Sequence, residues 1–340
     1  MKGAQIVLGT YAGHEAAALM VDGLMDDLLV ASDAPAPGTI YRAIVDRQIK
    51  GQGGVFLKTP DGQAYLRGVK GLSPGAAITV QVSGYAEPGK AIPVSDRVLF
   101  KSRYAIVTPD APGLNISRQI KDDDTRDSLL EIAHECMAGE EQGLILRSAA
   151  EAADLDEIAD DILAMKAVAT NVMAEAGSAA ETLLEGDGPH TLAWRDWTML
   201  ADVVTEDGAF EALGVLDQIE EARTGVVKLD AHATAYVEPT RALVAVDVNT
   251  GADAGFAAGQ RANLALARAL PRALRVRGLG GQIVLDLAPM PKKERRGFEN
   301  ALRAAFRKDT VDTVLAGWTP LGHYELQRKR ARLPLELCVS

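Results

Sequence analysis

The chain has 340 residues, 47% hydrophobic and 24% charged, with a formal net charge of −11 at pH 7 and two cysteines. Cys136 and Cys338 are too few and too far apart for a disulfide framework or a one-chain multi-cysteine zinc site, and no apolar run reaches the length of a membrane span. The acidic balance excludes indiscriminate nucleic-acid binding over the whole surface, and the short, polar-interrupted N-terminal stretch does not read as a signal peptide, so a cytoplasmic location is expected.

This length predicts several subdomains. Residues 1–32 read as a small β-rich start, closed by the linker Ala34-Pro35-Ala36-Pro37-Gly38. Between Thr39 and Ile92 the pattern is short strands and turns. Tyr41–Val45 and Ile78–Val82 are strands, and Val55–Leu57 and Ala64–Leu66 flank the hairpin signal Thr59-Pro60-Asp61-Gly62. Several short strands in so few residues suggest a small barrel such as an OB-fold. On the outside of such a barrel Phe56 and Tyr65 would stack bases; on the inside they would be core. Lys90, after Pro88-Gly89, is either a phosphate contact or an ordinary turn lysine.

Asp124 is positioned to cap a helix to Met137. Gly143–Leu146 reads as a short buried strand, followed by Arg147-Ser148. Leu155, Ile158, Ile162, Met165, Ala169, Val172 and Met173 recur at helical spacing, with Gly177 as a stop. The final third reads strand, strand, helix, strand, helix: Val226–Leu229, the Leu243 run, about 258–274 with Pro271 ending or kinking it, the Ile283 run, and about 292–308. Positive charge is concentrated here, from Lys292 to Arg296, Arg303 to Lys308 and Arg328 to Arg332. A polyanionic partner would meet this third first.

Two short apolar runs each end on an aspartate, Leu243-Val244-Ala245-Val246-Asp247 and Ile283-Val284-Leu285-Asp286. A lone strand-end aspartate more often caps a turn. The β-α-β order, however, permits a parallel crossover that brings both to one sheet edge. Two adjacent carboxylates repel unless a cation lies between them, and hard divalent ions take oxygen ligands. Asn249 lies two residues beyond Asp247, on the same strand face. The Gly-rich segment Arg277–Gly281 precedes a strand, so it is a poor phosphate-cradling loop, which follows a strand and opens a helix.

Val244-Ala245-Val246-Asp247-Val248-Asn249, followed by Arg277-Gly278-Leu279-Gly280-Gly281-Gln282-Ile283-Val284-Leu285-Asp286, resembles the catalytic core of the ribonuclease E/G family. The resemblance continues through Asn300, Leu302 and Leu326–Arg330. Upstream, Asn115–Ile120 and Gly143–Ala149 resemble the two stretches of that family's 5′-monophosphate sensor, and residues 39–92 sit where the family inserts an S1-type OB-fold.

The resemblance implies an α/β multi-subdomain protein. It would comprise an RNase H-like fold (1–37 and 181–222) with an inserted S1-like OB-fold (38–93) and a 5′-sensor subdomain (94–180), followed by a DNase I-like catalytic subdomain (223–340). It implies an endoribonuclease that cleaves single-stranded RNA and leaves a 5′-phosphate, in ribosomal RNA processing or messenger RNA decay. Asp247 and Asp286 would hold magnesium, or manganese in its place, and Asn249 would orient Asp247. Arg147 and Ser148, helped by Arg118, would grip a terminal phosphate; Phe56, Tyr65 and Lys90 would contact RNA.

Three features depart from the family pattern. The terminal Leu337-Cys338-Val339-Ser340 carries one cysteine where large members have a Cys-x-x-Cys that shares zinc between subunits. No structural zinc link is therefore expected, a homo-oligomer would use other surfaces, and without the long scaffold tail of the largest members no degradosome scaffold is expected. Ala288 follows the second aspartate where the family often has a further Asp, and Arg241 precedes the first where it often has an acid. Both reduce negative charge near the site, and they favour an alternative: an RNA-binding member with reduced or lost nuclease activity.

Overall fold

The computed structural model describes residues 3–49, 53–69, 71–230, 232–252 and 255–338; Val339 and Ser340 of the terminal motif lie outside the described residues. The chain begins with a three-stranded antiparallel meander, β1 (Ala4–Tyr11), β2 (His14–Val21) and β3 (Leu24–Val30). Its two-residue turns are Ala12-Gly13 and Asp22-Gly23, and all four residues hold positive φ. That handedness matches the twist of the flanking strands.

Residues 34–198 form one of two units. Here β4 (Ile40–Ile49), β5 (Gly54–Thr59), β6 (Gly62–Arg67), β7 (Ala77–Val82) and β8 (Ile92–Ser95) close a barrel in the order β4-β5-β6-β8-β7 and back to β4. Within it β6 and β8 are parallel. Tyr41, Val45, Leu57, Leu66, Val80 and Val82 fill its interior, which gives the mixed α/β chain an OB-like barrel. Next come β9 (Phe100–Lys101), β10 (Ala105–Thr108) and β11 (Leu114–Ile116), α1 (Asp123–Cys136), β12 (Gly143–Leu146) and α2 (Leu155–Ala174). The four strands make a sheet ordered β11-β12-β10-β9, packed on Leu129 and Ala133 of α1 and Ile158, Ile162 and Ala169 of α2.

Asp122, not Asp124, caps α1. Its backbone is extended and its carboxylate accepts from the Thr125 N–H at 2.9 Å, so the helix has already begun at Asp123. The second helix stops at Ala174, ahead of Gly177, where Glu175 turns extended. β13 (Glu181–Leu184) pairs with β4, and α3 (Pro189–Asp196) ends the unit.

The other unit joins residues 1–33 to 199–340. β14 (Asp202–Val204) runs parallel to β1, giving the order β14-β1-β2-β3. Phe210 of α4 (Ala209–Ala212) and Val215 and Ile219 of α5 (Val215–Arg223) pack on Val7, Met20 and Met25. A six-stranded sheet follows. It contains β15 (Val226–Lys228), β16 (Thr234–Pro239), β17 (Val244–Asn249), β18 (Gly281–Asp286), β19 (Thr313–Trp318) and β20 (Tyr324–Arg328), ordered β15-β16-β17-β18-β20-β19. Between these strands run α6 (Phe256–Val276) and α7 (Arg295–Phe306); α8 (Leu335–Cys338) is terminal.

Pro271 does not end α6, which continues to Val276. Proline removes one backbone hydrogen bond from a helix interior, but Ala262, Leu266, Leu270 and Leu274 are fully buried against the sheet and hold the helix across that gap. The final helix of the sequence reading begins as a 3-10 turn at Lys292–Glu294 before α7 proper. The boundaries between the two units fall at 33/34 and 198/199, so residues 181–198 lie in the barrel's unit and 199–222 in that of the six-stranded sheet.

Candidate active site

Burial alternates strictly along the central strands of the six-stranded sheet. Val244, Val246, Val248, Ile283, Leu285 and Leu326 face α6 and α7, while Asp247, Asn249, Gln282, Asp286 and Gln327 face outward. The parallel β17–β18 pair, joined through α6, is in the register Val244↔Ile283 to Asp247↔Asp286. The two aspartates are thus direct neighbours on one face, with Cα atoms about 4.8 Å apart as in any adjacent strands. They sit at the carboxyl ends of the parallel strands, where ligands bind in open α/β sheets.

Neither carboxylate is neutralised by Lys or Arg among the described residues. Asp286 has His323 Nε2 at 3.6 Å. Glu238 of β16 and Glu325 of β20 point to the same open face one row away, in register with Ala245 and Val284. Such a face repels a polyanion unless a cation intervenes. The exposed carboxylate oxygens of Asp247 and Asp286 are the donors a hard divalent ion takes, with remaining positions left to water and phosphate. Among the described residues no group of three or more His, Cys, Asp or Glu side chains is arranged as a metal cage. The residues present fit an ion held by two carboxylates, which magnesium commonly accepts.

Three expectations need correction. Asn249 makes no hydrogen bond to Asp247; its Oδ1 accepts from the Gly251 N–H at 2.8 Å and closes the turn after β17. Arg241 lies in the exposed β16–β17 turn, at the end of β17 away from Asn249, so it is not beside the carboxylates. Ala288 is buried, and its amide N–H donates to Asn263 Oδ1 while its carbonyl accepts from Asn263 Nδ2. The alanine there serves packing.

In the basic run Arg328–Arg332 the three arginines are taken up by internal contacts, and Lys329 is the exposed member. The Asp309 carboxylate, fully buried, accepts from Arg275 at 2.6 Å and from Arg328. Arg332 donates to Asp27, Arg275 also reaches Asp26 at 2.8 Å, and Arg330 donates to the Gly280 carbonyl. This internal network joins β3 and α6 to β20, the neighbour of the Asp286 strand. Sequence reading missed it because charged residues so far apart in the chain carry no local pattern.

In the barrel unit, β11 and β12 are parallel, with Ile116 opposite Leu146. Arg118 therefore follows one strand end where Arg147 and Ser148 follow its neighbour. Arg118 is exposed, on a loop held by Arg126 Nη1 donating to the Ser117 and Ile120 carbonyls. Ser148 opens a 3-10 turn. Arg147 is already engaged: it donates to the Ser102 carbonyl at 2.5 Å, the Arg195 carbonyl at 3.2 Å and Asp196 at 2.7 Å. Burial raises the Asp196 pKa, but the Arg195 and Arg147 guanidiniums outweigh it and hold the carboxyl below the usual range. A terminal phosphate would have to displace that carboxylate.

Phe56 and Tyr65 face each other across β5–β6 on the outside of the barrel, ring centroids 5.4 Å apart, with the Arg47 guanidinium 5.3 Å from the Phe56 ring. They are half-buried and not core, because Val55, Leu57, Ala64 and Leu66 occupy the inward positions. Lys90 pairs with Glu87 at 2.7 Å in its turn. Cys338 is buried in α8, and burial pushes its thiol up to about 11. No helix of the described residues is long and apolar enough to cross a membrane.

The structure thus carries an OB-like barrel in one unit and, in the other, a sheet covered on one side and bearing paired carboxylates on its open face. The Ribonuclease E/G family model matches residues 100–205 and 195–331, so the chain belongs to the ribonuclease E/G family. Ribonuclease G of Escherichia coli (strain K12) is 27% identical over 301 residues, covering 77% of this chain and 61% of that protein. Ribonuclease G of Salmonella typhimurium (strain SL1344) matches to the same extent. Ribonuclease E of Synechocystis sp. is 24% identical over 376 residues, covering 93% of this chain and 56% of that protein. The chain spans about three fifths of the length of these curated relatives.

Proposed function

We propose that the protein is a metal-dependent endoribonuclease that cleaves single-stranded RNA. The observation that carries this reading is the register pairing of Asp247 with Asp286 on an exposed, acidic sheet face. The two carboxylates would hold one magnesium or manganese ion. When bound, such an ion lowers the pKa of a coordinated water and offsets charge developing on phosphoryl oxygens. Asp247 and Asp286 would hold the ion at the strand ends, with Val248 and Leu285 beside them anchored in the core. Hydrolysis at this site would leave a 5′-phosphate on the downstream fragment. Phe56 and Tyr65 would stack bases, with Arg47 adding charge over the ring. Arg118, Ser148 and Arg147, the last exchanging Asp196 for phosphate, would favour RNA with a 5′-monophosphate. Ribosomal RNA precursors and messenger RNA are the substrates in view, in the cytoplasm.

The experiment is cleavage of a labelled single-stranded oligoribonucleotide with magnesium. The wild type should cut, and Asp247→Ala and Asp286→Ala should each lose cleavage while keeping the circular-dichroism spectrum. Equal cutting by all three would end the assignment. Binding by the wild type without cutting would favour the RNA-binding alternative.

A further inference from the structure

One row of side chains crosses the open face of the six-stranded sheet. Val226 on β15 is in register with Tyr236 on β16, Tyr236 with Asp247 on β17, and Asp247 with Asp286 on β18. His323, just before β20, closes the row with its Nε2 3.6 Å from Asp286. The carboxylate pair is therefore flanked by an aromatic ring on one side and an imidazole on the other.

Tyr236 is unusual in this row. Antiparallel partners place their Cα atoms about 4.5–5.5 Å apart, so the ring stands immediately beside the Asp247 carboxylate. It remains 38% exposed. Among the described residues it makes no ring–ring contact. Its phenol sits on a face lined by Glu238, Asp247, Asp286 and Glu325. Cross-strand packing on Val226 accounts for part of the side chain but leaves the ring facing outward beside the candidate metal ligands. An aromatic surface next to the place where a phosphodiester would be held can take a nucleobase face, a contact tolerant of sequence because every base has one.

Resting on the function proposed above, we infer that Tyr236 is a substrate-positioning residue: its ring stacks the nucleobase next to the scissile phosphodiester, on the β16 side of the carboxylate pair. On the opposite side His323 stands beside Asp286. The base clamp would hold the phosphate over Asp247 and Asp286 and would make cleavage depend on the presence of a base at that one position. The binding contributed by Phe56 and Tyr65 on the barrel would be independent of it.

The test uses the full chain with magnesium and three matched single-stranded RNAs cut at one mapped bond. One is intact, and the others carry a single abasic nucleotide immediately to the 5′ or 3′ side of that bond. For the wild type, one of the two abasic substitutions should lower kcat/KM by about tenfold, within the range stacking contributes. Tyr236→Ser should show that loss on the intact RNA and no further loss with the abasic one. Tyr236→Phe, which keeps the ring, should stay within about twofold of the wild type. An abasic penalty of equal size in wild type and Tyr236→Ser, or wild-type rates in Tyr236→Ser, would overturn the positioning role and leave the nuclease reading intact. Failure of the wild type to cut any RNA would overturn both.

Discussion

Removing Asp309 should unfasten the sheet that carries the candidate site. Its carboxylate is fully buried and accepts from Arg275 at 2.6 Å and from Arg328, itself almost fully buried on β20. Burial lowers the Arg328 pKa, and the hydrogen bond and charge of Asp309 work against that fall. Arg275 keeps Asp26 and Asp27 as partners. Arg328 keeps the Thr313 hydroxyl at 2.8 Å, the Val311 carbonyl at 3.5 Å and the Phe306 ring at 5.8 Å, none of them a counter-charge, with Nη2 already unsatisfied. Asp309→Ala thus leaves a buried guanidinium without a counter-charge, which typically costs about 3–5 kcal/mol. At about 2–4 °C per kcal/mol for a unit of this size, Tm should fall by roughly 6–20 °C. Urea denaturation should show the same loss, and Asp309→Ala combined with Arg328→Met should recover more than about 1 kcal/mol of it, because the stranded charge is gone. A loss below about 1 kcal/mol for the single variant, or no recovery in the double, would refute the argument.

Further outcomes follow from other parts of the molecule. Phe56→Ala and Tyr65→Ala should each weaken single-stranded RNA binding by about 1–3 kcal/mol, read by fluorescence anisotropy, with little change in salt slope because neither carries charge. Asp196, held below the usual carboxylate range by Arg195 and Arg147, supplies stability that is complete above the ordinary carboxylate pKa, about 3.9, and is lost as pH falls through its lower folded value. Acid titration followed by Trp194 and Trp197 fluorescence should therefore show the region around α3 loosening below about pH 4 in the wild type, and Asp196→Asn should remove that step. Cys338, buried with a thiol pushed up to about 11, should resist alkylation at pH 8 in the native protein and react after denaturation; native modification would place α8 differently.

Much of the candidate site was legible because it lies on simple periodicities. Buried Val–Leu runs ending on Asp247 and Asp286 predicted strands, and the helical spacing between them predicted a parallel crossover; the register then places the two aspartates opposite each other. The barrel strands around Thr59–Gly62 were legible from turn chemistry, but the sequence left Phe56 and Tyr65 open between core and outer face until Val55, Leu57, Ala64 and Leu66 took the inward positions. What was not legible depends on contacts between distant residues. The ion network of Asp27, Asp309, Arg275, Arg328 and Arg332 looks in sequence like a solvated basic tail. Arg147 looks free until Asp196 is brought beside it. Asn249 looks aimed at Asp247, but its Oδ1 accepts from the Gly251 N–H and ties the side chain to the turn after β17. Pro271 reads as a helix breaker, yet four fully buried residues on one face outweigh one missing hydrogen bond. Tyr236 was missed because its short strand alternates weakly and carries a proline at its end.

The central claim is that Asp247 and Asp286 together hold one divalent ion, and calorimetric titration of the purified chain with magnesium and with manganese tests it most directly. The account predicts one site per chain in the wild type and loss of that site in both Asp247→Asn and Asp286→Asn, with unchanged Tm in the absence of metal. Equal metal binding by the wild type and either variant would contradict it.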